Sequence, residues 1–339
     1  MVKEWLRMWR ARNWMRRNRG FLPSWHAYVG FKLGLFEQFK DGATVAEVVS
    51  RSGYDASLLD SWLDVGLNIG HLKRLASGAV RSNAAMCRDF SRQSESAIGE
   101  LLVEMMELHI PSLLAYPHLM NGGARRTFDG QQFATTVAST SAMIEEAAFP
   151  VLQKWMKRWQ SHAVLDIGCG YAGYLLRLAR QNRSLILYGI EKERELLEKA
   201  KQAIASERAD SIHLLEGDFL GAGVRALGDH QQRFDLVMMN NILYYFAPEH
   251  RATLMQRAVE FLQPGGTMAM ISPIRTEQAG TSGPFSAAFN SFMRAHENLF
   301  DLPSIAEMKA LGQQSGLELT TSQVIIREGN WYFCGFRKV

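Results

Sequence analysis

Three glycines and three acidic residues carry the strongest chemical signal in this chain of 339 residues. The run D-I-G-C-G-Y-A-G sets Asp166 two residues ahead of a G-x-G-x-x-G made by Gly168, Gly170 and Gly173. Glycines there let the backbone approach a ligand closely. The pattern alone fits many nucleotide-binding α/β proteins. Asp166 narrows it, because a carboxylate in that place suits an ammonium or hydroxyl group and repels a pyrophosphate. Glu191 closes the apolar run LILYGI, where an acid can take both hydroxyls of a ribose. E-G-D-F (216–219), with Asp218 and Phe219, follows a third apolar run, and L-Q-P-G-G (262–266) precedes a fifth. A dinucleotide fold requires neither. Aromatic residues crowd the same region: Tyr171 and Tyr174 in and after the glycine loop, then Tyr244, Tyr245 and Phe246 after FDLVMM. Each aromatic face stabilises a cation by roughly 0.5–2 kcal/mol. Cys169 is read as a small residue in a tight loop.

These residues need a sheet with a helix after each strand. AVLDI (163–167), LILYGI (185–190), IHLLEGD (212–218), FDLVMM (234–239) and TMAMIS (267–272) read as strands. Helical segments alternate with them, the signature of a doubly wound sheet. LELTTSQVII and NWYFCGFRK read as an antiparallel pair at one edge. The fold class is therefore α/β, a Rossmann-like sheet preceded by an all-helical segment.

In that helical segment, residues 31–83 have the pattern of a winged helix: a turn at Ser52-Gly53-Tyr54-Asp55, a last helix over 56–69 and a wing in HLKRLASGAVRSN. Such modules often bind DNA through the last helix. Here that helix has no Lys or Arg and carries Asp60 and Asp64. Acids facing phosphates are electrostatically wrong. Nucleic acid is excluded as a partner, and the module reads as a dimerisation or packing unit. Net charge is +4, and the first twenty residues hold seven Arg and Lys against Glu4. Trp5, Trp9 and Trp14 lie close to one helical face, and the segment is expected to pack on its own protein as part of a lid, not on a membrane. Arg16-Arg17 is not followed by an export signal. No apolar run approaches the ~18 residues of a membrane span. Three scattered cysteines, Cys87, Cys169 and Cys334, form no disulfide or zinc pattern, which suits the cytoplasm.

Residues 163–272 resemble the class I S-adenosylmethionine (SAM) methyltransferase core. DIGCGYAGY (166–174), GIE (189–191), EGDF, FDLVMMNNILYYF (234–246) and LQPGG carry the likeness. The helical first part resembles that of the dimeric small-molecule O-methyltransferases. The resemblance implies a helical lid and dimerisation domain over 1–150 and a SAM-binding domain over 151–339. It implies SAM as co-substrate without a metal, a small-molecule substrate and a homodimer. Carried over by position, Gly168 and Gly170 line the methionine moiety with Asp166 near its amine. Glu191 takes the ribose, Asp218 the adenine amine, Phe219 the ring, and Asn240 the methionine part. Ser139 or Ser141 would contact the SAM carboxylate, with Met143 nearby.

One departure from the family bears on the reaction. Its L-H-x-W, with histidine as base, is replaced by Leu243-Tyr244-Tyr245-Phe246. An ordinary tyrosine, with a pKa near ~10, is a poor base at neutral pH. Catalysis is then expected to rest on Tyr171, Tyr174, Tyr244 and Tyr245 as aromatic walls. The acceptor should need little deprotonation. His26, His109, His118 and His296 are the other candidate bases, with His296 read as a surface residue. A second reading keeps the SAM site without an acceptor. It follows a resemblance to azetidine-2-carboxylate synthases, in which SAM's own amine closes the ring and 5′-methylthioadenosine leaves. A third, a SAM-sensing regulator, is disfavoured by the acidic helix 56–69.

Overall fold

The computed structural model describes residues 2–221, 233–278 and 280–339. They form two compact units, Met1–Pro111 and Ser112–Val339.

In the first unit, Thr44 opens the helix Val45–Ser52 with a reciprocal capping box to Glu47, and Gly53 closes it in a left-handed conformation. The Asp55 side chain accepts from the amides of Ser57 and Leu58 and opens Ala56–Ile69. Strands β1 (Leu72–Arg74) and β2 (Val80–Ser82) pair antiparallel as the expected wing. Phe36, Phe39, Val48, Leu59, Trp62 and Leu72 make this unit's core. The N-terminal helix Val2–Arg17 departs from expectation, because it buries no residue. Trp5 is 66% and Trp14 64% exposed. Its tryptophans are interleaved with arginines, so the helix has no continuous apolar face to pack.

The second unit is built on a sheet of seven strands. β3 (Ala163–Ile167), β4 (Ile186–Glu191), β5 (Ile212–Glu216), β6 (Phe234–Asn240) and β7 (Leu262–Pro273) are parallel. β8 (Leu317–Ile326) and β9 (Trp331–Lys338) form the edge pair, with β9 antiparallel to both β7 and β8. The order is β5-β4-β3-β6-β7-β9-β8. Side chains alternate between the faces, as strand geometry demands. Val164, Leu236 and Ala269 face one cluster, with Leu175 and Leu178 from the helix Gly173–Gln181. Leu165, Val237 and Met268 face the other, with Leu254, Met255 and Met308.

The compact units divide at Pro111, whereas the expected division falls at residue 150. The helix Gly130–Trp159 runs through that point, Pro150 included. Its Phe149, Leu152, Trp155 and Met156 are buried in the same cluster as Val164, Leu236 and Phe333. Burial of that apolar stripe makes the helix part of the sheet domain. Among the described residues no helix is long and apolar enough to cross a membrane.

Candidate active site

The strand order reverses between β3 and β6, whose neighbours lead away in opposite directions. A crevice opens at the carboxyl ends of strands at such a switch point. Here a cavity of about 520 Å³ occupies it, within the range of small-ligand sites. Eleven of the residues expected from the sequence line it, Asp166, Gly168, Gly170, Tyr171, Tyr174, Glu191, Asp218, Phe219, Asn240, Tyr244 and Tyr245, while Ser139 and Met143 do not. Ser141 joins them from the helix Gly130–Trp159.

The loop after β3 is pinned by β4. Gly168 and Cys169 donate their amides to the Ile190 carbonyl at 2.8 and 3.0 Å. Gly168 and Gly170 both have positive φ, the conformation that favours glycine. Glu191 does more than face the cavity. Its Oε2 accepts from the Gly170 amide at 2.9 Å, and its Oε1 from the amides of Lys192 and Glu193 at 2.9 and 3.0 Å. One carboxylate therefore fixes the glycine loop and the turn out of β4.

Three buried polar atoms on these lining residues have no hydrogen-bond partner: Asp166 Oδ1, Asn240 Nδ2 and Asn241 Oδ1. Buried polar groups are normally paired, so these atoms mark places for a polar ligand. Asn240 is held by its other end, Oδ1 accepting from the Ile271 amide at 3.1 Å. Asp166 is 2% exposed, and burial, with the charges of Glu145 and Glu191, pushes its carboxyl well above the usual range. Asp218 Oδ1 accepts from the Leu220 amide at 3.0 Å. Phe219 packs 5.9 Å from Phe261 between ring centres while also lining the cavity.

The aromatic walls are set by packing. Tyr244 is 4% exposed, with ring centres 4.8 Å from Tyr245 and 5.9 Å from Phe289. Phe128 stands 6.2 Å from Tyr245 on the same cavity. Tyr174 is buried, which pushes its phenol well up. The Tyr171 hydroxyl donates to the Thr135 carbonyl at 3.4 Å. The turn that carries Tyr244 and Tyr245 is anchored by Arg251, 1% exposed. Arg251 donates to the carbonyls of Leu243 and Phe246 at 3.1 Å each and to Glu307 at 2.6 Å.

No histidine is among the described lining residues. His296, expected at the surface, is 4% exposed. Its Nδ1 lies 2.9 Å from the Phe292 carbonyl and its ring packs on Phe128 and Phe292. An aromatic cluster, not solvent, surrounds it.

Residues 164–266 match the family model described as "Methyltransferase domain". A carboxy-S-adenosyl-L-methionine synthase from Shewanella piezotolerans is 22% identical over 136 residues, 39% of this chain. The chain spans about half the length of that relative, 53%. An O-methyltransferase family protein from Burkholderia thailandensis is similar in structure, with a TM-score of 0.79, 17% identity, and coverage of 97% of this chain and 98% of that one. Human N-acetylserotonin methyltransferase in complex with SAM gives 0.77 and 16%, covering 97% of each. The matched stretch holds β3 to β6 and the start of β7 of the second unit. The fold is that of these methyltransferases, and it has the expected antiparallel pair at one edge.

In the second unit, sequence reasoning passed over Glu145, Phe128 and Arg251. Glu145 lines the cavity, and burial raises its carboxyl to about 7 against the opposing charge of Arg177. A signal for it was present in Gly173: a Cβ there would lie 2.0 Å from Glu145 Oε2. The third glycine of the motif is the floor under that carboxylate.

Proposed function

We propose that the protein is an enzyme that binds SAM in this cavity and passes its methyl group to a small-molecule acceptor. The observation that carries the reading is the set of buried, unpaired atoms of Asp166, Asn240 and Asn241 on a cavity at the strand-order reversal. An amino-acid end would satisfy Asp166 and Asn240, Glu191 would take the ribose, and Asp218 with Phe219 the adenine.

The co-substrate supplies a methyl carbon on a sulfonium. The protein's part is alignment and exclusion of water. Tyr171, Tyr174, Tyr244 and Tyr245 wall the place where positive charge sits. With tyrosine at 244 and no histidine among the described lining residues, phenols that need a strong base are poor acceptors. Amines and already ionised groups fit better.

A second reading is favoured by the same aromatic enclosure: attack of SAM's own amine on its γ-carbon. The N–C bond forms, the C–S bond breaks, 5′-methylthioadenosine leaves, and the ammonium proton passes to a base. The curated relative's name makes a SAM derivative its product, which supports chemistry on SAM itself within this fold.

The test is the purified protein with SAM, with and without a panel of amine and phenol acceptors, read by mass spectrometry. S-adenosylhomocysteine with a methylated acceptor is expected. Enzyme-dependent 5′-methylthioadenosine from SAM alone would overturn the first reading for the second.

The working unit in this proposal is a homodimer joined through the first unit. Light scattering would return twice the chain mass, and a monomer at high concentration would contradict it. Cys87, Cys169 and Cys334 are free thiols, which suits a cytoplasmic site of action.

A further inference from the structure

The second unit places a second carboxylate on the cavity that Asp166 lines. Glu145 projects from the helix Gly130–Trp159 into the cavity and rests over Gly173, at the start of the helix Gly173–Gln181. Its nearest charged partner is Arg177, with Nε 4.0 Å from Oε2. That is a long contact for an ion pair, and Arg177 also donates to Glu146 at 3.4 Å. Asp166, from β3, is fully buried with Oδ1 unpaired. Two carboxylates in one enclosure with a single distant guanidinium repel each other. The arrangement is satisfied by a compact cation with several donors.

We propose that Glu145 and Asp166 together form a receptor for one ammonium group, the amino end of the methionine moiety, whose entry displaces a proton held by the carboxyl pair. This rests on the SAM reading above and names the groups that would read the amine. The charge balance favours it. The groups facing Glu145 are Arg177 and Tyr174 from the helix Gly173–Gln181, Glu146 on its own helix, and Asp166 from β3, with Glu191 beyond. Three of these are acids and one is a cation. Burial lifts Glu145 to about 7 and Asp166 well above its usual range, so the empty pair keeps a proton near neutrality. An ammonium brings the positive charge itself, and the proton leaves to solvent. No covalent bond changes.

The sign follows from linkage. Where the free protein holds a proton that the complex does not, affinity rises with pH, up to about tenfold per unit. The test uses two probes from about pH 5.5 to about 7.5. S-adenosylhomocysteine carries the ammonium, and 5′-methylthioadenosine lacks the whole amino-acid end. Calorimetry should show the first binding more tightly as pH rises, with a proton released, and the second binding independently of pH. Glu145→Gln should weaken S-adenosylhomocysteine about tenfold or more at the upper pH, flatten its pH slope and leave 5′-methylthioadenosine unchanged. Unchanged 5′-methylthioadenosine binding also certifies that the variant is folded. A slope that persists in Glu145→Gln, or a wild-type slope of zero, overturns the inference while leaving SAM binding intact. Failure of both probes to bind the wild type overturns the SAM reading and this inference with it.

Discussion

A Cβ at Gly173 would meet the far end of a flexible side chain, Glu145, rather than backbone. Alanine is also a better helix former than glycine, by up to ~1 kcal/mol. Gly173→Ala should therefore keep or slightly raise the melting temperature while expelling the carboxylate from its seat. S-adenosylhomocysteine affinity should fall and 5′-methylthioadenosine affinity should hold. A fall in melting temperature with both affinities unchanged would mean that the glycine serves only the backbone. At this scale the local motifs were legible. Asp166, Gly168, Gly170 and Glu191 sit at ends of strands that the apolar runs announce. Glu145 was not, because it reaches the site from a helix that precedes β3, and only packing brings it there. A carboxylate two residues ahead of a glycine loop can also serve to tie that loop down. The loop is instead tied by Glu191, which leaves Asp166 Oδ1 unspent.

Among the elements, the turn Leu243–Tyr245 depends on a charge that no motif flagged. Arg251 lies in the helix Pro248–Glu260 and reaches back to the Leu243 and Phe246 carbonyls, and forward to the Asp301 carbonyl at 2.6 Å and to Glu307. Removing one partner of a buried ion pair costs about 3–5 kcal/mol. Arg251→Ala should lower the urea midpoint accordingly and blunt turnover by freeing Tyr244. Arg251→Lys should rescue little, since one ammonium cannot serve carbonyls on both sides. Stability within about 0.5 kcal/mol of wild type would contradict this. A buried arginine on an amphipathic helix reads in sequence as a surface charge, which is why it stayed hidden. Strand periodicity, by contrast, placed β3 and β6 closely, because apolar runs with alternate faces buried have few other uses. The division at 150 that the resemblance implies falls inside the helix Gly130–Trp159, at Pro150. That helix's buried face, Phe149 to Met156, decides where it belongs.

At the scale of the whole molecule, the two units should answer acid differently. In the first, His26 is fully buried, stacked on Trp62 at 4.1 Å with Nδ1 3.1 Å from Nδ1 of His71. Burial first, then the neighbouring His71, lowers its pKa to about 3. The folded state therefore binds fewer protons than the unfolded chain below about pH 6.5. Stability of that unit is fully present above about 6.5 and is lost progressively as pH falls toward about 3. Thermal unfolding followed by circular dichroism should show this loss, on the order of a few kcal/mol, and His26→Leu should reduce it. An unchanged acid limb in His26→Leu would contradict the assignment. The winged pattern and the doubly wound sheet were both legible at this scale, since turn residues and strand alternation mark them. The exposure of Val2–Arg17 was not, because tryptophan spacing suggested a face that the intervening arginines break up.

The proposed function puts SAM in this cavity, with Glu191 on the ribose. Titration of wild type and Glu191→Ala with S-adenosylhomocysteine in a calorimeter tests it most directly. The wild type should bind S-adenosylhomocysteine at one site per chain. In the variant, binding should be weaker by about 1–3 kcal/mol, as loss of charged hydrogen bonds costs. Equal affinity in the two proteins, or no binding to the wild type, would contradict it.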